Sequence, residues 1–173
     1  VIEVENAPAK GPKKKCPWAV IDGVAIGDSE LIMERIKARA GRDLDSGLTA
    51  EQKATALAVR RMLDEHFHQA WEHQLFIDDA AWQRGQEFFD QFPPGLRVLV
   101  KFLARGGLRK QLHARGVGRH GPADIIKMGV AALDAVDALL GDKPCFLADE
   151  PTDIDATVFG FLVCVVTFAA YAA

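Results

Sequence analysis

All of the strand-forming pattern in this chain of 173 residues lies within its first 40 residues. Residues 1–4 favour a strand, and residues 16–26 contain two short strand patterns around an Asp-Gly pair that is typical of hairpin turns. Asp28 or Ser29 then caps a helix, because apolar residues recur after them at helical spacing. A strand, a loop, a hairpin and a helix in this order predict a small α/β unit.

From Thr49 to the last residue the pattern is helical, and no segment has the alternation of a strand. Thr49 and Gln52 form a capping box at the start of the first helix. Proline and glycine residues separate the later helices, and in the fourth helix Ile125 and Ile126 are expected to face inward. The helices are predicted at 49–76, at 82–92, from 96 onward with a weak point at Gly106-Gly107, at 122–141 and from 152 onward.

The change of pattern predicts two domains. Residues 1–41 form an α/β domain, residues 42–48 form a polar, glycine-containing linker, and residues 49–173 form an all-helical domain. Both ends have the character of cut ends, because a strand begins at once and the last 18 residues carry no charge. That uncharged run reaches the minimum length of a membrane span, but its small and polar residues favour a buried central helix, capped by Thr152 and Asp155.

The net charge of −3 is typical of an ordinary globular protein and argues against a dedicated nucleic-acid-binding protein. The basic residues are nonetheless concentrated, since residues 91–123 contain seven lysines or arginines and no acidic residue. We expect a solvated helix face there, and an acidic partner surface or anionic lipid headgroups are the functional alternatives. Four of these residues have the i, i+4 spacing of one basic ridge: Arg97, Lys101, Arg105 and Arg109.

Three cysteines without a CxxC pair indicate reduced thiols. Cys16 is interpreted as a buried, inert strand residue rather than a reactive thiol, and Cys145 and Cys164 as core residues. Three histidines lie close together beside acidic residues, but their spacing does not match an i, i+4 pair of metal ligands. We therefore predict no metal site at these histidines, which are His66, His68 and His73.

The first domain contains residues that fit one binding site. Pro17 would remove a hydrogen bond from a strand, which favours a cis bond after Cys16 that presents the Cys16 backbone to an extended peptide. The following helix directs its N-terminus toward an anion, so Ser29 can bind a carboxylate and Asp28 can accept from an ammonium group. A small peptide-like ligand with a free amino acid end fits this site. The alternative is that these residues only cap a helix and end an edge strand.

Several segments resemble one family. Residues 15–29 resemble the second half of the thioredoxin-like domain of a glutathione transferase, and residues 149–160 resemble the capped core helix of that superfamily's helical domain. Residues 116–120 (Gly-Val-Gly-Arg-His) and 143–147 (Lys-Pro-Cys-Phe-Leu) resemble the branch that includes metaxin and failed axon connections proteins. The resemblance implies an incomplete thioredoxin-like domain followed by the helical domain of a glutathione transferase.

The resemblance also implies a site and a function. Cys16 and Pro17 would hold the cysteinyl backbone of glutathione, the co-substrate, while Asp28 and Ser29 would hold its γ-glutamyl end. The Tyr, Ser or Cys that activates the thiol in this family is expected upstream of Val1, and further helices are expected after the last residue. The pocket for the second substrate borders the first long helix. Three residues there would line it unless they are ordinary core residues: Phe67, His68 and Trp71.

The expected activity is that of a cytoplasmic, homodimeric glutathione transferase that conjugates or otherwise transfers glutathione to a small hydrophobic electrophile. Because the thiolate is the nucleophile, the reaction needs a hydrogen-bond donor or a helix terminus that lowers the pKa of the thiol. The alternative is a non-catalytic, metaxin-like module that acts through protein contacts or at a membrane surface. Neither function involves nucleic acid.

Overall fold

The computed structural model describes residues 2–5, 10–84, 89 and 92–172. Contacts along the chain divide it into two units, Val1–Gly47 and Leu48–Ala173. The division falls inside the segment 42–48, and the predicted domain bounds of 1–41 and 49–173 remain a prediction.

The first unit contains a three-stranded antiparallel sheet in the order β1-β2-β3. The strands are β1 (Ile2–Glu5), β2 (Trp18–Ile21) and β3 (Val24–Gly27). Asp22 and Gly23 connect β2 to β3 with φ angles of 52° and 80°, the positive values that a two-residue hairpin with a type I′ turn requires. The predicted opening strand and hairpin are therefore confirmed in the described residues.

Helix α1 (Ser29–Ala40) follows the hairpin directly. Asp28 caps its first turn, and Gly41 ends it with a φ angle of 63°, a left-handed conformation that favours glycine. The core of this unit comes mainly from β2, in which Ala19 and Ile21 are completely buried. Helix α1 contributes only partly buried side chains to it.

The second unit begins with one long helical segment. Helix α2 (Ala50–Arg61) continues through a π-helical turn (Met62–Phe67) into α3 (His68–Phe76). The predicted capping box is present, because the N–H of Gln52 donates to Thr49 Oγ1 at 3.2 Å and the N–H of Thr49 donates to Gln52 Oε1 at 2.8 Å. The sequence prediction of a helix to Phe76 is confirmed, but the π-helical turn within it was not predicted.

Helix α4 (Asp79–Arg84) begins three residues before the predicted start at 82. The cause is Asp78, whose carboxylate accepts from the N–H of Ala81 at 2.9 Å and so caps the helix earlier. Most of the predicted remainder, at 85–88 and 90–91, lies outside the described residues. Helix α5 (Pro94–Arg115) then runs without a break.

The predicted weak point at Gly106-Gly107 does not interrupt the helix, because both glycines lie inside α5. A glycine in a helix interior costs about 1 kcal/mol relative to alanine, and packing of the neighbouring turns outweighs that cost. Helix α5 partly buries Arg97, Lys101 and Arg105, whereas its Arg109 and Lys110 are exposed. Its outer face carries large apolar side chains, and Phe102 is 76% exposed.

Helices α6 (Pro122–Leu140) and α7 (Asp153–Ala172) complete the described helices. Gly141 ends α6 as predicted, with a φ angle of 54°. Ile125 is completely buried, but Ile126 is largely exposed, which corrects its predicted inward orientation. The residue after a buried one on a helix is rotated by about 100°, which places Ile126 at the edge of the buried face. The central packing of this unit involves α2, the π-helical turn, α6 and α7.

The prediction of a buried central helix holds for only one face of α7. Helix α7 buries Ile154 and Val158, whereas Phe159 is 69% exposed and Val163 and Val166 are exposed as well. None of the helices in the described part of the chain is long and apolar enough to cross a membrane.

Candidate functional site

The predicted binding residues of the first unit meet at one end of its sheet. The register pairs Trp18 with Gly27, so Pro17 and Asp28 lie next to each other just beyond that pair. The N–H of Asp28 donates to the carbonyl oxygen of Pro17 at 3.2 Å and links the two segments. The peptide bond between Cys16 and Pro17 is cis, as the sequence predicts.

Asp28 occupies an unusual backbone conformation, with φ 100° and ψ 128°. Residues other than glycine rarely adopt such a positive φ, and strain of this kind is concentrated at binding and catalytic sites. Its Oδ1 accepts from the N–H of Glu30 at 3.0 Å and caps α1. Among the described residues, none donates to Oδ2. The carboxylate can therefore cap the helix and still accept a hydrogen bond from a ligand.

Ser29 is the first residue of α1, and both Ser29 and Asp28 are exposed. The unpaired N–H groups and the positive end of the helix dipole favour an anion at this position. A ligand with an α-amino and an α-carboxylate group could place the carboxylate at Ser29 and the ammonium group at Asp28. This pairing of charges is the chemistry that the sequence predicts for these two residues.

Cys16 lies outside the strand, because β2 begins two residues later at Trp18, and its side chain is exposed. The prediction of a buried strand cysteine is therefore wrong. Its backbone N–H and C=O make no hydrogen bond to any residue that the structure describes, so both groups are available to an extended peptide.

The other two cysteines differ from each other. Cys145 is buried, as predicted, and burial raises the pKa of its thiol, with the nearby carboxylate of Asp155 raising it further. A thiol in such surroundings is protonated and unreactive. Cys164 is exposed on α7, so its prediction as a core residue is wrong, for the same reason that one face of α7 is exposed.

Three lysines next to this site were not singled out in the sequence. Lys13, Lys14 and Lys15 directly precede Cys16, and all three are exposed. The side-chain carbons Cβ and Cγ of Lys13 lie 3.7 and 3.5 Å from the position that a Cβ would occupy on Gly27. Since Gly27 precedes Asp28, this places a cationic side chain beside the candidate site. The run of three lysines before the cis-proline is the sequence signal that could have identified them as neighbours of the site.

The residues predicted for a second-substrate pocket do not share one surface. Phe67 is 4% exposed and packs edge-on against Phe161, with ring centroids 6.1 Å apart, so its assignment to a pocket is corrected to the core. His68 is exposed, and its ring centroid lies 6.3 Å from the ring centroid of Phe161. Trp71 is partly buried against the core. A role for His68 and Trp71 in substrate binding remains a proposal.

The three histidines on the long helical segment also separate. His66 and His68 are exposed, whereas His73 is buried, and His66 and His68 point in different directions because they are two residues apart on the helix. These three rings therefore do not converge on one point.

Three of the four residues of the predicted basic ridge on α5 contact other parts of the protein, whereas the fourth, Arg109, is exposed as a solvated face would be. Arg105 donates from Nε to the carbonyl oxygen of Phe76 at 3.0 Å, and from Nη2 to the carbonyl oxygen of Ile77 and the carboxylate of Asp79, both at 2.6 Å. Its guanidinium also lies over the ring of Trp82, 5.2 Å from the centroid. Arg105 thus closes the end of α3 and holds the start of α4. Its hydrogen bond and charge lower the pKa of Asp79.

Two more residues of the ridge face the protein. Arg97 Nη2 donates to the carbonyl oxygen of Phe92 at 3.3 Å. The ammonium group of Lys101 lies 5.8 Å from the ring centroid of Phe89. The sequence prediction failed here because the long aliphatic stems of arginine and lysine allow them to pack inward while the charged groups reach carbonyl oxygens or aromatic rings.

Two family models match parts of the chain. The family model described as glutathione S-transferase, N-terminal domain, matches residues 1–81, and the model described as glutathione S-transferase, C-terminal domain, matches residues 129–170. No solved structure matches the chain.

Curated relatives fall into two groups. Isoprene-epoxide glutathione S-transferase of Rhodococcus sp. (strain AD45) is 34% identical over 157 residues, which are 87% of this chain and 65% of that protein. Failed axon connections of Drosophila melanogaster is 29% identical over 88% of this chain and 39% of its own length. Metaxin-2 of Homo sapiens is 23% identical over 94% of this chain and 62% of its own length.

The chain thus spans between 39% and 65% of the lengths of these three relatives. Family models for both the N-terminal and the C-terminal domain match it, and its relatives include a transferase, a metaxin and a failed axon connections protein. An incomplete thioredoxin-like unit followed by a helical unit is the arrangement that these matches describe. The chain belongs to the glutathione S-transferase superfamily.

Proposed function

We propose that this protein binds glutathione and conjugates it, or otherwise transfers it, to a small hydrophobic electrophile. The observation that carries the proposal is the 34% identity to isoprene-epoxide glutathione S-transferase over 87% of the chain. We propose in addition a homodimer in the cytoplasm, which the resemblance to glutathione transferases implies. The convergence of Pro17, Asp28 and Ser29 at one end of the sheet supports a ligand site in the first unit.

Each part of glutathione has a partner in this proposal. The backbone N–H and C=O of Cys16 pair with the cysteinyl residue of glutathione as one strand pairs with another. Ser29 and the start of α1 bind the γ-glutamyl α-carboxylate, and Asp28 Oδ2 accepts from the α-ammonium group. The lysines before Cys16, Lys13 first among them, attract the glycine carboxylate of glutathione.

The proposed reaction is attack of the glutathione thiolate on an electrophilic carbon. With an epoxide, a carbon–sulfur bond forms and a carbon–oxygen bond breaks, while the thiol proton is released and the alkoxide takes a proton from water. The protein residues assigned above bind and orient glutathione, which raises the effective concentration of the thiolate next to the electrophile.

Binding can be tested by titrating the protein with glutathione while following tryptophan fluorescence, because Trp18 directly follows Pro17. We expect saturation at millimolar glutathione, and at least about tenfold weaker binding for Asp28→Ala and for Ser29→Ala, since each removes a charge-assisted hydrogen bond. The matched control is Glu34→Gln, which removes an exposed carboxylate from the same helix. No saturable binding by the parent protein would overturn the proposal, whereas equal binding by all variants would overturn only the site.

A second candidate function is a non-catalytic module that acts through protein or membrane-surface contacts. It is favoured by the relationship to failed axon connections and metaxin-2, which cover 88% and 94% of the chain. The two functions differ in turnover. Loss of glutathione in the presence of a small epoxide, above the rate without protein, supports the transferase, whereas glutathione binding without turnover supports the second function.

A further inference from the structure

The helical unit contains an open cleft of about 470 Å³ that the proposed function does not use. One wall is the second half of α5, with Arg109, Lys110 and His113. The opposite wall is the last turn of α3 with His73, followed by Ile77. The 3₁₀ turn Val117–Arg119 contributes Gly118.

The wall formed by α5 is positively charged. Arg109 and His113 are four residues apart and lie on one helix face, and Lys110 follows Arg109. Arg109 and Lys110 have no hydrogen bond or ion pair with any residue in the described ranges, and both are exposed. Two cationic groups are therefore available inside one cleft.

Other arginines of the same helix are engaged elsewhere. Arg105 is paired with Asp79, and Arg115 Nη1 lies 3.5 Å from a carboxylate oxygen of Glu72. The carboxylate of Asp78 is used to cap α4. Glu72 and Asp79 thus pair with other arginines, and no described carboxylate forms an ion pair with Arg109 or Lys110, which leaves these two cations for an external anion.

His73 faces these cations from a buried position, with 8% of its surface exposed. Within the described part of the chain, the Nε2 atom of Gln74 lies 3.5 Å from Nδ1 of the His73 ring. This distance is too long for a normal hydrogen bond. Burial lowers the pKa of His73, Asp78 partly offsets this shift and Arg109 adds to it. The ring is therefore neutral near pH 7 and carries one N–H donor.

The floor of the cleft is rigidly built. A Cβ on Gly118 would stand 2.8 Å from the backbone N of His113 and 2.9 Å from the carbonyl carbon of Leu112, so the 3₁₀ turn packs directly on the backbone of α5. Arg119 Nε donates to the carbonyl oxygen of His113 at 3.0 Å and secures this contact. Residues 116–120 therefore shape one side of the cleft.

We propose that this cleft binds the phosphate group of an organic phosphate. Arg109 and Lys110 neutralise the dianion, and His73 and His113 donate hydrogen bonds to its remaining oxygens. A phosphate fits better than a carboxylate, because it carries up to two charges and has enough oxygens for donors on both walls. The cleft also has room for the organic part of the molecule, which would contact Ile77.

Calorimetric titration with glycerol 3-phosphate, with glycerol as the uncharged comparison, tests a soluble source of the phosphate. Co-sedimentation with phosphatidylcholine vesicles, with and without phosphatidic acid, tests a lipid source. We expect binding to at least one phosphate probe. The double variant Arg109→Gln/Lys110→Gln should weaken it at least about tenfold, because two charge-assisted contacts are lost.

The matched control is Lys53→Gln/Lys127→Gln, which makes the same change of charge at exposed positions outside the cleft. Imidazole NMR signals provide a second readout, in which glycerol 3-phosphate shifts the signals of His73 and leaves those of exposed His66 unchanged. Binding of glycerol 3-phosphate or of vesicles alone identifies the source of the phosphate. Absence of binding to both, or equal loss in the two double variants, overturns the proposal.

Discussion

At the scale of single residues, Arg105 joins two helices that the sequence treats as separate. Its guanidinium contacts two carbonyl oxygens at the end of α3 and the carboxylate of Asp79 at the start of α4. The side chain is mostly buried, at 18% exposure. Hydrogen bonds that involve a charged group are worth about 1.5–3 kcal/mol each, and their effects within one network are not additive.

We expect Arg105→Gln to lower the free energy of unfolding by about 2–3 kcal/mol, because carbonyl oxygens at the end of α3 lose their donor. Urea denaturation followed by circular dichroism measures this change. Lys127→Gln, an exposed lysine on α6, serves as the control and should change stability by less than about 0.5 kcal/mol. Similar values for both variants would contradict the inward orientation of Arg105.

Alanine substitutions at two glycines are expected to change the stability of the protein in opposite directions. We expect Gly118→Ala to destabilise the protein by about 1–3 kcal/mol, because its Cβ would stand 2.8 Å from a backbone atom that cannot move aside. Gly107→Ala should stabilise it by about 0.5–1 kcal/mol, because that glycine lies in a helix with open space around it. Thermal unfolding of the two variants should therefore shift the midpoint in opposite directions, and a shift in the same direction would be inconsistent with this packing.

At the scale of elements, the start of α7 depends on Asp155. Its carboxylate accepts from the N–H of Phe146 at 2.9 Å and from the N–H and hydroxyl of Thr152 at 2.8 and 2.7 Å. Burial alone would raise the pKa of Asp155, but these hydrogen bonds outweigh burial and hold the pKa below its ordinary value. The helix and the preceding segment are thus tied through one ionised group.

Because the folded-state pKa is lowered, the stability from ionised Asp155 is complete above about pH 4 and is lost as the pH falls through the folded value. We expect Asp155→Asn to lower the free energy of unfolding by about 1.5–3 kcal/mol near neutral pH. The difference between the parent protein and the variant should shrink at about pH 3. Urea unfolding at both pH values measures it, and a difference that grows in acid would disprove the assignment.

Helix α5 has an inner and an outer face that hydrophobicity alone does not distinguish. Leu112 is almost completely buried, whereas the larger Phe102 is 76% exposed. We expect Leu112→Ala to cost about 2–5 kcal/mol and Phe102→Ser to stay within about 0.5 kcal/mol of the parent. Denaturant unfolding of both variants tests the rotation of α5 about its axis. A larger loss for Phe102→Ser would show that the helix is turned the other way.

At the scale of the whole molecule, ligand binding and stability are linked. A ligand that binds only the folded protein stabilises it by about 1.4 kcal/mol when its concentration is ten times the dissociation constant. If glutathione occupies the site in the first unit, this stabilisation should appear there as slower amide hydrogen exchange around Cys16 and at the start of α1.

We therefore expect glutathione to slow hydrogen exchange in residues 16–32 of the parent protein and to have little effect in Ser29→Ala. Mass spectrometry of peptides from the protein, with and without glutathione, measures both. As a control, the amide hydrogens of a peptide from α6 should exchange at the same rate with and without glutathione. Uniform protection throughout the chain, or none in residues 16–32, would be evidence against the proposed site.

Local signals in the sequence were sufficient wherever the interacting groups are close along the chain. The Asp22-Gly23 turn, the capping box of Thr49 and Gln52, and the end of α6 at Gly141 all depend on groups within a few residues. The cis bond before Pro17 belongs to the same class. Such features are confirmed because backbone sterics and short-range hydrogen bonds depend little on the rest of the fold.

The sequence by itself determined the order of the elements, several of their capping residues and the superfamily of this protein. Only the tertiary structure decided which side of each helix is buried, as Arg105, Ile126 and Cys164 show. It also brought His73 opposite Arg109 across one cleft. The physical reason is the separation along the chain, because Arg105 forms hydrogen bonds to residues 26 to 29 positions away. The helical spacing of apolar residues predicts that a helix has a buried face, but it does not indicate which part of the protein packs on that face.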